Sequence, residues 1–202
     1  MHYTFNLSKE YRLEDDCVLL RPLQTDDCSN LRYFSLNEPE IWNYSSQKAA
    51  GEDNLKKYIE FAMNARAAGN EYPFIVFDKR SKSYAGSTRY YDIQLQHQTL
   101  QLGFTWYGKA FQGTGLNKHC KFLLLQFAFE QMGMERVEFR ADINNARSIA
   151  AMKSIGCTPE GVLRSHTIKA DGGRRDSIVL SILKHEWLGH VKENLRRKIA
   201  DV

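Results

Sequence analysis

Apolar runs and amphipathic stretches alternate along this chain. Short runs rich in β-branched and aromatic residues, bounded by turn residues, predict strands; they cover residues 17–22, 72–78, 84–92, 99–107, 136–141, 162–168 and 177–183. Apolar positions at helical spacing predict helices; these cover residues 25–68, with breaks near Pro39 and Gly51, and residues 116–132, 146–155 and 185–199. This mixture predicts an α/β fold of the mixed α+β kind, with helices packed on a sheet.

The predicted helix at 116–132 has the clearest pattern, and a glycine-rich segment precedes it. Its apolar stripe consists of Leu116, Cys120, Leu123, Leu124, Phe127, Ala128 and Met132. The preceding segment reads Phe111-Gln112-Gly113-Thr114-Gly115-Leu116-Asn117. Two glycines let the backbone turn tightly, and the N-terminus of a helix presents unpaired N–H groups that suit phosphate. Such a turn can also merely cap a helix, and this one lacks the features of a Walker loop or a dinucleotide fingerprint.

Composition and charge narrow the class of protein. The 202 residues carry a net charge of +4, which suits a small polyanion as well as nucleic acid, but no array of aromatic and basic residues indicates nucleic-acid binding. No stretch reaches the roughly 18 apolar residues of a membrane span, and the N-terminal residues lack the apolar core of a signal peptide. The cysteines are Cys17, Cys28, Cys120 and Cys157, whose wide spacing predicts reduced thiols. We expect one cytoplasmic domain over residues 1–202, with its core at about 18–187 and with neither a membrane nor a nucleic-acid partner.

A second group of residues stands in the C-terminal half: Asn145, Ser148, Gly156-Cys157, Glu160-Gly161 and Arg164. Singly, these have structural explanations, such as a helix N-cap at Asn145 and a helix stop at Gly156. Together with the glycine-rich loop, their order resembles the GNAT N-acetyltransferase superfamily and, within it, the ribosomal-protein N-terminal alanine and serine acetyltransferases.

The resemblance covers residues 18 to 187, roughly. The family loop Q/R-x-x-G-x-G/A is matched by Gln112 and Gly115, whereas Asn117 departs from it. Cys157 stands where the later motif has phenylalanine. The opening segment, Leu20-Arg21-Pro22-Leu23 with Asp26, is similar to the first strand and turn of the family.

The resemblance implies a central twisted mixed sheet with two splayed strands and flanking helices. Acetyl-CoA would be the co-substrate, its pantetheine lying between the splayed strands and its pyrophosphate on the loop. The residues that would bind it are Thr105, Trp106, Gln112, Gly113, Thr114, Gly115, Leu116, Asn117 and Asn145. An N–H group of Thr105 or Trp106 would polarise the thioester carbonyl. Lys118 and Lys153 are candidates for coenzyme phosphates and equally for solvated helix charges.

The implied reaction is direct transfer of an acetyl group to an amine, without an acyl-enzyme and without a metal. Ser148 would be catalytic, giving a hydrogen bond or proton to the departing thiolate. No general base is assigned; Glu160 is a candidate, but it could equally orient its strand or brace Arg164. His185 and His190 are five residues apart, which turns them about 140° from each other on a helix and disfavours a shared metal.

The amine acceptor is the component of the reaction that the sequence determines least. The resemblance implies the α-amine of a protein or peptide, entering a cleft between residues 42–46 and 171–175. Two alternatives remain open: a small amine such as a polyamine, antibiotic or amino acid, and a non-catalytic acyl-CoA-binding module. The oligomeric state, monomer or homodimer, is also open.

Overall fold

A computed structural model describes residues 5–45, 47–169 and 172–200. Its strands are β1 (Leu13–Glu14), β2 (Val18–Pro22), β3 (Tyr72–Asp78), β4 (Ser83–Gln94), β5 (Thr99–Tyr107), β6 (Arg136–Asp142), β7 (Thr158–Ile168) and β8 (Arg174–Leu183). They form one sheet in the order β1-β2-β3-β4-β5-β6-β8-β7. All neighbours are antiparallel except β5 and β6, which run parallel.

Helices cover both faces of this sheet. They are α1 (Cys28–Asn37), α2 (Glu52–Ala67), α3 (Leu116–Gln126, continued by a π-helical turn at Phe127–Gln131), α4 (Ala146–Ser154) and α5, whose consecutive segments are Lys184–Glu186, Trp187–Val191 and Lys192–Ala200. Short 3₁₀ turns lie at Thr25–Asp27, Pro39–Trp42 and Lys109–Phe111. Among the described residues, no helix combines the length and apolar character that crossing a bilayer requires.

The sheet separates two apolar clusters. The smaller lies under α1 and α2 and includes Trp42, Tyr58 and Trp106. The larger lies under α3, α4 and α5 and joins Leu116, Phe139 and Trp187 to many other residues. Because successive strand residues point to opposite faces, Trp106 packs in the first cluster and its neighbour Tyr107 in the second.

The pairing of β5 with β6 stops early. Only Thr99–Gln101 of β5 pair with Arg136–Glu138 of β6, although both strands continue beyond these residues. From there β5 stays paired with β4, and β6 stays paired with β8. The two halves of the sheet therefore part at this point, and the expected splay between two neighbouring strands is present.

The predicted elements are confirmed, with four main differences. The last strand, β8, begins at Arg174 rather than at residue 177. A short strand, β1, precedes the first predicted one. β7 begins at Thr158 rather than at residue 162, because an edge strand accepts proline and β7 is exposed along most of its length, so that no apolar alternation marks it. α3 buries more than the predicted stripe: Leu123 is only half-buried, whereas His119 and Lys121 are buried.

Glu160 fastens β7 to the rest of the sheet. Its carboxylate forms an ion pair with Arg136 of β6 and accepts a hydrogen bond of 2.7 Å from Ser181 Oγ of β8. The hydrogen bond from Arg136 lowers the pKa of Glu160, against a smaller opposing effect of burial. Glu160 thus braces Arg136, not Arg164, and its lowered pKa makes it a poor proton acceptor.

This brace predicts an acid-dependent loss of stability. A carboxylate whose pKa is lowered by folding stabilises the protein above its unfolded pKa of about 4.3, and this contribution disappears as the pH falls through the folded-state pKa. The free energy of unfolding, measured in urea, should therefore fall less between about pH 6 and pH 3.5 for Glu160→Gln than for the wild type. Glu193→Gln, on an exposed helical ion pair, is the control and should follow the wild type. An unchanged acid dependence in Glu160→Gln would contradict the assignment.

Candidate active site

The loop before α3 presents a row of unpaired backbone donors. Gly113 and Gly115 have φ values of +77° and +84°, which bend the chain back toward the helix start. In the part of the chain that the structure describes, the N–H groups of residues 113–117 have no hydrogen-bond partner. A Cβ added at Gly113 would meet no atom within 4 Å, so the loop faces open space. Consecutive free N–H groups at a helix N-terminus form a site for pyrophosphate.

Side chains around this loop hold it in place. Gln112 Nε2 donates to the Tyr107 carbonyl at 2.8 Å, and Gln112 Oε1 accepts from Arg147 at the start of α4. Asn117 Oδ1 accepts from the Tyr107 hydroxyl at 3.2 Å, so its amide oxygen points inward. Arg80 donates to the Thr114 carbonyl at 3.3 Å, which brings to the loop a cation that the sequence analysis missed. Gln112 also ties β5 to α4 on the far side of the splay.

A bulge distorts β5 beyond the last pair with β6. Gly103 lies opposite Arg89 and Trp106 opposite Ser87, so Phe104 and Thr105 share a single partner, Thr88. Phe104 adopts φ +47°, which is rare for a residue with a side chain. A bulge turns backbone groups out of the regular ladder, which is a way to aim an N–H at a ligand. The sequence-predicted Thr105 and Trp106 lie at this bulge.

The other predicted residues lie at the start of α4. Asn145 is the N-cap, and its Oδ1 accepts from the Ser148 backbone N–H at 3.1 Å. This bond occupies one lone pair of Asn145 Oδ1 and leaves its Nδ2 for a ligand. Ser148 is half-buried in the first helical turn. Arg147 connects this turn to Gln112, so the structure brings the two predicted motifs together. Lys118 is half-buried on α3 and Lys153 is exposed on α4.

Lys121 is a buried cation that the sequence analysis did not single out. It is 5% exposed, and its Nζ donates to Thr105 Oγ1 at 2.8 Å and to Thr88 Oγ1 at 3.3 Å. Burial lowers the pKa of Lys121 to about 8, and neither neighbouring thiol, Cys120 or Cys157, restores it. The sequence contained a signal of this burial, because Lys121 precedes Leu124 by three residues and Leu125 by four, which puts it on the apolar face of α3.

A small cleft, with room for about one water molecule, lies between the segments named for the acceptor. Its lining residues come from the segment after Trp42, the end of β6 and the β7–β8 hairpin: Asn43, Tyr44, Ser45, Asp142, Ile168, Lys169 and Arg175. Arg175 Nη1 donates to the Tyr44 carbonyl at 3.4 Å, joining segments far apart in sequence. Ser46 and Asp171, which belonged to the expected cleft, lie outside the described residues.

Several arginine side chains lie near this cleft, and one of them, Arg140, is paired with the Glu138 carboxylate. Burial lowers the pKa of Arg175, and the nearby Asp142 carboxylate opposes this effect. Burial also lowers the pKa of His166, and the positive charges of Arg140, Arg175 and Arg174 add to the effect, against a smaller opposing effect of the Glu138 carboxylate. An amine that enters such an environment is shifted toward its neutral, nucleophilic form.

One group of metal-ligating side chains is found among the described residues, away from the splay. Ligand atoms of Asp15, Cys17 and His119 lie within 4.8 Å of one another. The Asp15 carboxylate already accepts from the backbone N–H groups of Cys17 and Val18, both at 2.8 Å, and contacts His119 Nδ1 at 2.7 Å. These contacts explain Asp15 as the acceptor of a tight turn before β2.

Known proteins share this architecture. Residues 18–158 match the acetyltransferase (GNAT) domain family. The Bacillus subtilis protein named "Putative ribosomal N-acetyltransferase YdaF" is 26% identical over 153 residues, which are 68% of this chain and 82% of that protein. A crystal structure described as a "putative acetyltransferase" from T. thermophilus is 32% identical with a TM-score of 0.85, covering 98% of this chain and 99% of that one.

A third similarity concerns the fold alone. Mycobacterium smegmatis RimJ, solved in complex with CoA-disulfide, is 16% identical with a TM-score of 0.77, covering 94% of this chain and 93% of that one.

The splayed sheet, the loop of free N–H groups and the match over most of the chain lead to one conclusion: the chain belongs to the GNAT acetyltransferase family and is an N-acetyltransferase enzyme.

Proposed function

We propose that this enzyme transfers the acetyl group of acetyl-CoA directly to the α-amine of a protein or peptide. The observation that carries the coenzyme part is the row of free N–H groups at residues 113–117, at the mouth of the gap between β5 and β6. Pyrophosphate would accept from these groups, with Arg80 beside them. Pantetheine would extend along β5, where backbone groups beyond Gln101 have lost β6 as a partner, and the Asn145 side chain would face it from α4.

The bulge would serve the chemistry. As the amine nitrogen attacks the thioester carbon, the carbonyl oxygen gains negative charge, and an N–H group of Thr105 or Trp106 would stabilise it. The C–S bond then breaks, and the sulfur leaves as a thiolate with a pKa near 8.5. Ser148, in the first turn of α4, would donate a hydrogen bond to this sulfur. Since the described contacts engage Glu160 in bracing the sheet, a water chain would remove the proton of the amine.

The charge of the cleft favours a peptide over a polyamine. Arg175 lines it together with the buried carboxylate of Asp142, and Arg174 and Arg140 lie near, the latter paired with Glu138. A polyamine carries several positive charges and would be repelled there, because like charges at close range cost free energy. An α-amine has a pKa near 7.7–8.0 and is partly neutral already. Names such as that of YdaF also support a protein acceptor.

A single domain over 1–202 and a cytoplasmic location stay predictions from the sequence.

The loop gives the first functional prediction. Gly115→Asp places a negative side chain at a helix N-cap where pyrophosphate would bind, and it should weaken CoA binding by about 30-fold or more, equivalent to ~2 kcal/mol. Titration calorimetry measures this. Gly51→Asp is the matched control, since Gly51 is also the N-cap of a helix with positive φ, at +86°. Both variants should lose stability, but only Gly115→Asp should lose affinity; equal affinity in the two would remove the pyrophosphate assignment.

The acceptor prediction compares amines. At pH about 7.5, an α-amine is roughly 30% neutral and a lysine amine about 0.1% neutral, from their ordinary pKa values. We therefore expect kcat/KM for a free-amine peptide to exceed by about 100-fold that for an Nα-blocked, lysine-containing peptide. Spermidine should also be a poor substrate, even at low salt, where charges on the protein and the amine interact most strongly. A preference for spermidine or the blocked peptide would reject the α-amine assignment and leave the acetyltransferase identity intact.

A further inference from the structure

The side chain of Lys121 lies at the point where the sheet divides. Its Nζ contacts Thr105 Oγ1 on β5 at 2.8 Å and lies 5.9 Å from the ring centroid of Phe139 on β6. Thr105 belongs to the bulge beyond the last β5–β6 pair, and Phe139 follows directly after Glu138, the last residue of β6 that pairs with β5. One ammonium group therefore hydrogen-bonds to one diverging strand and lies within cation–π range of the other, on the α3 side of the gap.

The groups that face Lys121 leave its charge without an anionic partner. Thr88 of β4 and Thr105 of β5 offer hydroxyl oxygens, and β6 offers the ring of Phe139. The titratable groups near it are the thiols of Cys120, on its own helix, and Cys157, just before β7; burial raises the pKa of both, to about 12 for Cys120, so both are neutral. No carboxylate of the described residues forms an ion pair with Nζ.

A buried cation without a counter-ion is costly to maintain. Packing alone would be served by methionine or leucine at this position, as at the neighbouring Leu124 and Leu125. The position is useful, however, to a reaction that creates a negative charge within the gap. In the proposed acetyl transfer, the charge created there is that of the departing CoA thiolate.

We propose that Lys121 is a catalytic residue that protonates the thiolate of CoA as it leaves; this rests on the function proposed above. The amine nitrogen uses its lone pair to form the C–N bond, and the C–S bond breaks with its electron pair going to sulfur. The ammonium of Lys121 gives its proton to that sulfur, yielding the free thiol and a neutral lysine amine. The acceptor nitrogen loses its proton to water, and water returns one to Lys121, so acetyl-CoA and amine become amide and CoA.

Proton transfer from Lys121 is energetically well matched. Its pKa of about 8 lies close to the ordinary thiol value of about 8.5, so transfer in either direction is nearly balanced. The hydroxyl of Ser148 is a much weaker acid and can donate a hydrogen bond but not release its proton as readily. The two residues therefore predict different pH dependences.

The binding experiment needs no acceptor. The thiol of CoA is titrated by the ultraviolet absorbance of its thiolate, free and bound to the protein. A neighbouring ammonium should lower the pKa of the bound thiol in the wild type by about 1 relative to Lys121→Met, which retains the length of the side chain without the charge. Lys57→Met, an exposed lysine on α2, is the control and should match the wild type.

The kinetic experiment uses the free-amine peptide in single-turnover mode. Lys121→Met should lower the acetyl-transfer rate by about 100-fold with CoA affinity within a factor of about 3, since general-acid effects start near that size. The wild-type rate should decline above about pH 8, as Lys121 loses its proton, whereas Lys121→Met should lack this decline. Ser148→Ala should be slower but keep the decline.

The outcomes separate the two proposals. If the wild type fails to bind CoA, the proposed function falls. If CoA binds but Lys121→Met keeps the wild-type rate, pH profile and thiol pKa, Lys121 is only structural and this inference is overturned. If Lys121→Met does not fold, the wild type alone still tests the inference. A bound CoA thiol with the pKa of the free thiol, together with an acetyl-transfer rate that does not decline above pH 8, would overturn it.

Discussion

The interrupted pairing between β5 and β6 is the constraint around which this protein is arranged. Inside a sheet, a backbone N–H or C=O without a partner costs free energy unless a ligand or water satisfies it. Here the pairing ends at Gln101 and Glu138, and both strands continue within the molecule. The open edges create a demand for hydrogen bonds, and in the proposed complex pantetheine, an extended molecule with amide groups, would meet it as an added strand would.

The separated halves of the sheet are held by contacts outside the ladder. Gln112 links the end of β5 to Arg147 on α4, and Arg175 links the hairpin of β7 and β8 to the segment after Trp42. On the far side, Glu160 fastens β7 to β6 through Arg136. These bonds hold the opening in place, so that binding groups on different elements keep their relative positions. A site that is organised before its ligand arrives loses less entropy on binding.

The distribution of charge follows the same plan. The loop presents free N–H groups beside Arg80, where an anion would lie. Arg174 and Arg175 lie near the cleft, where an amine would lose its proton. Lys121 is located between these regions, beneath the gap. Its exposed fraction of 5% explains its low pKa, since burial penalises the charged form of an amine. In the proposed reaction, these positive groups would thus stand where an anion binds or forms, or where a proton is lost.

Much of this could be derived from the sequence, because the relevant signals are local. The order of strands and helices follows from the spacing of apolar residues, and the loop follows from Gly113 and Gly115, whose positive φ values only glycine adopts freely. The N-cap role of Asn145 is also a property of neighbouring residues. The resemblance of the ordered motifs then identified the family, although no single motif is specific.

Other features were decided only by the tertiary structure. The sequence of β5 contains nothing that says where β6 leaves it, and the edge position of β7 is invisible because its exposed residues lack alternation. The burial of Lys121, on helix α3, depends on Thr88, Thr105 and Phe139, which come from three strands. A pKa, a cleft or a splay is set by which distant residues become neighbours and how much water they exclude, and these are properties of the packed chain rather than of any segment.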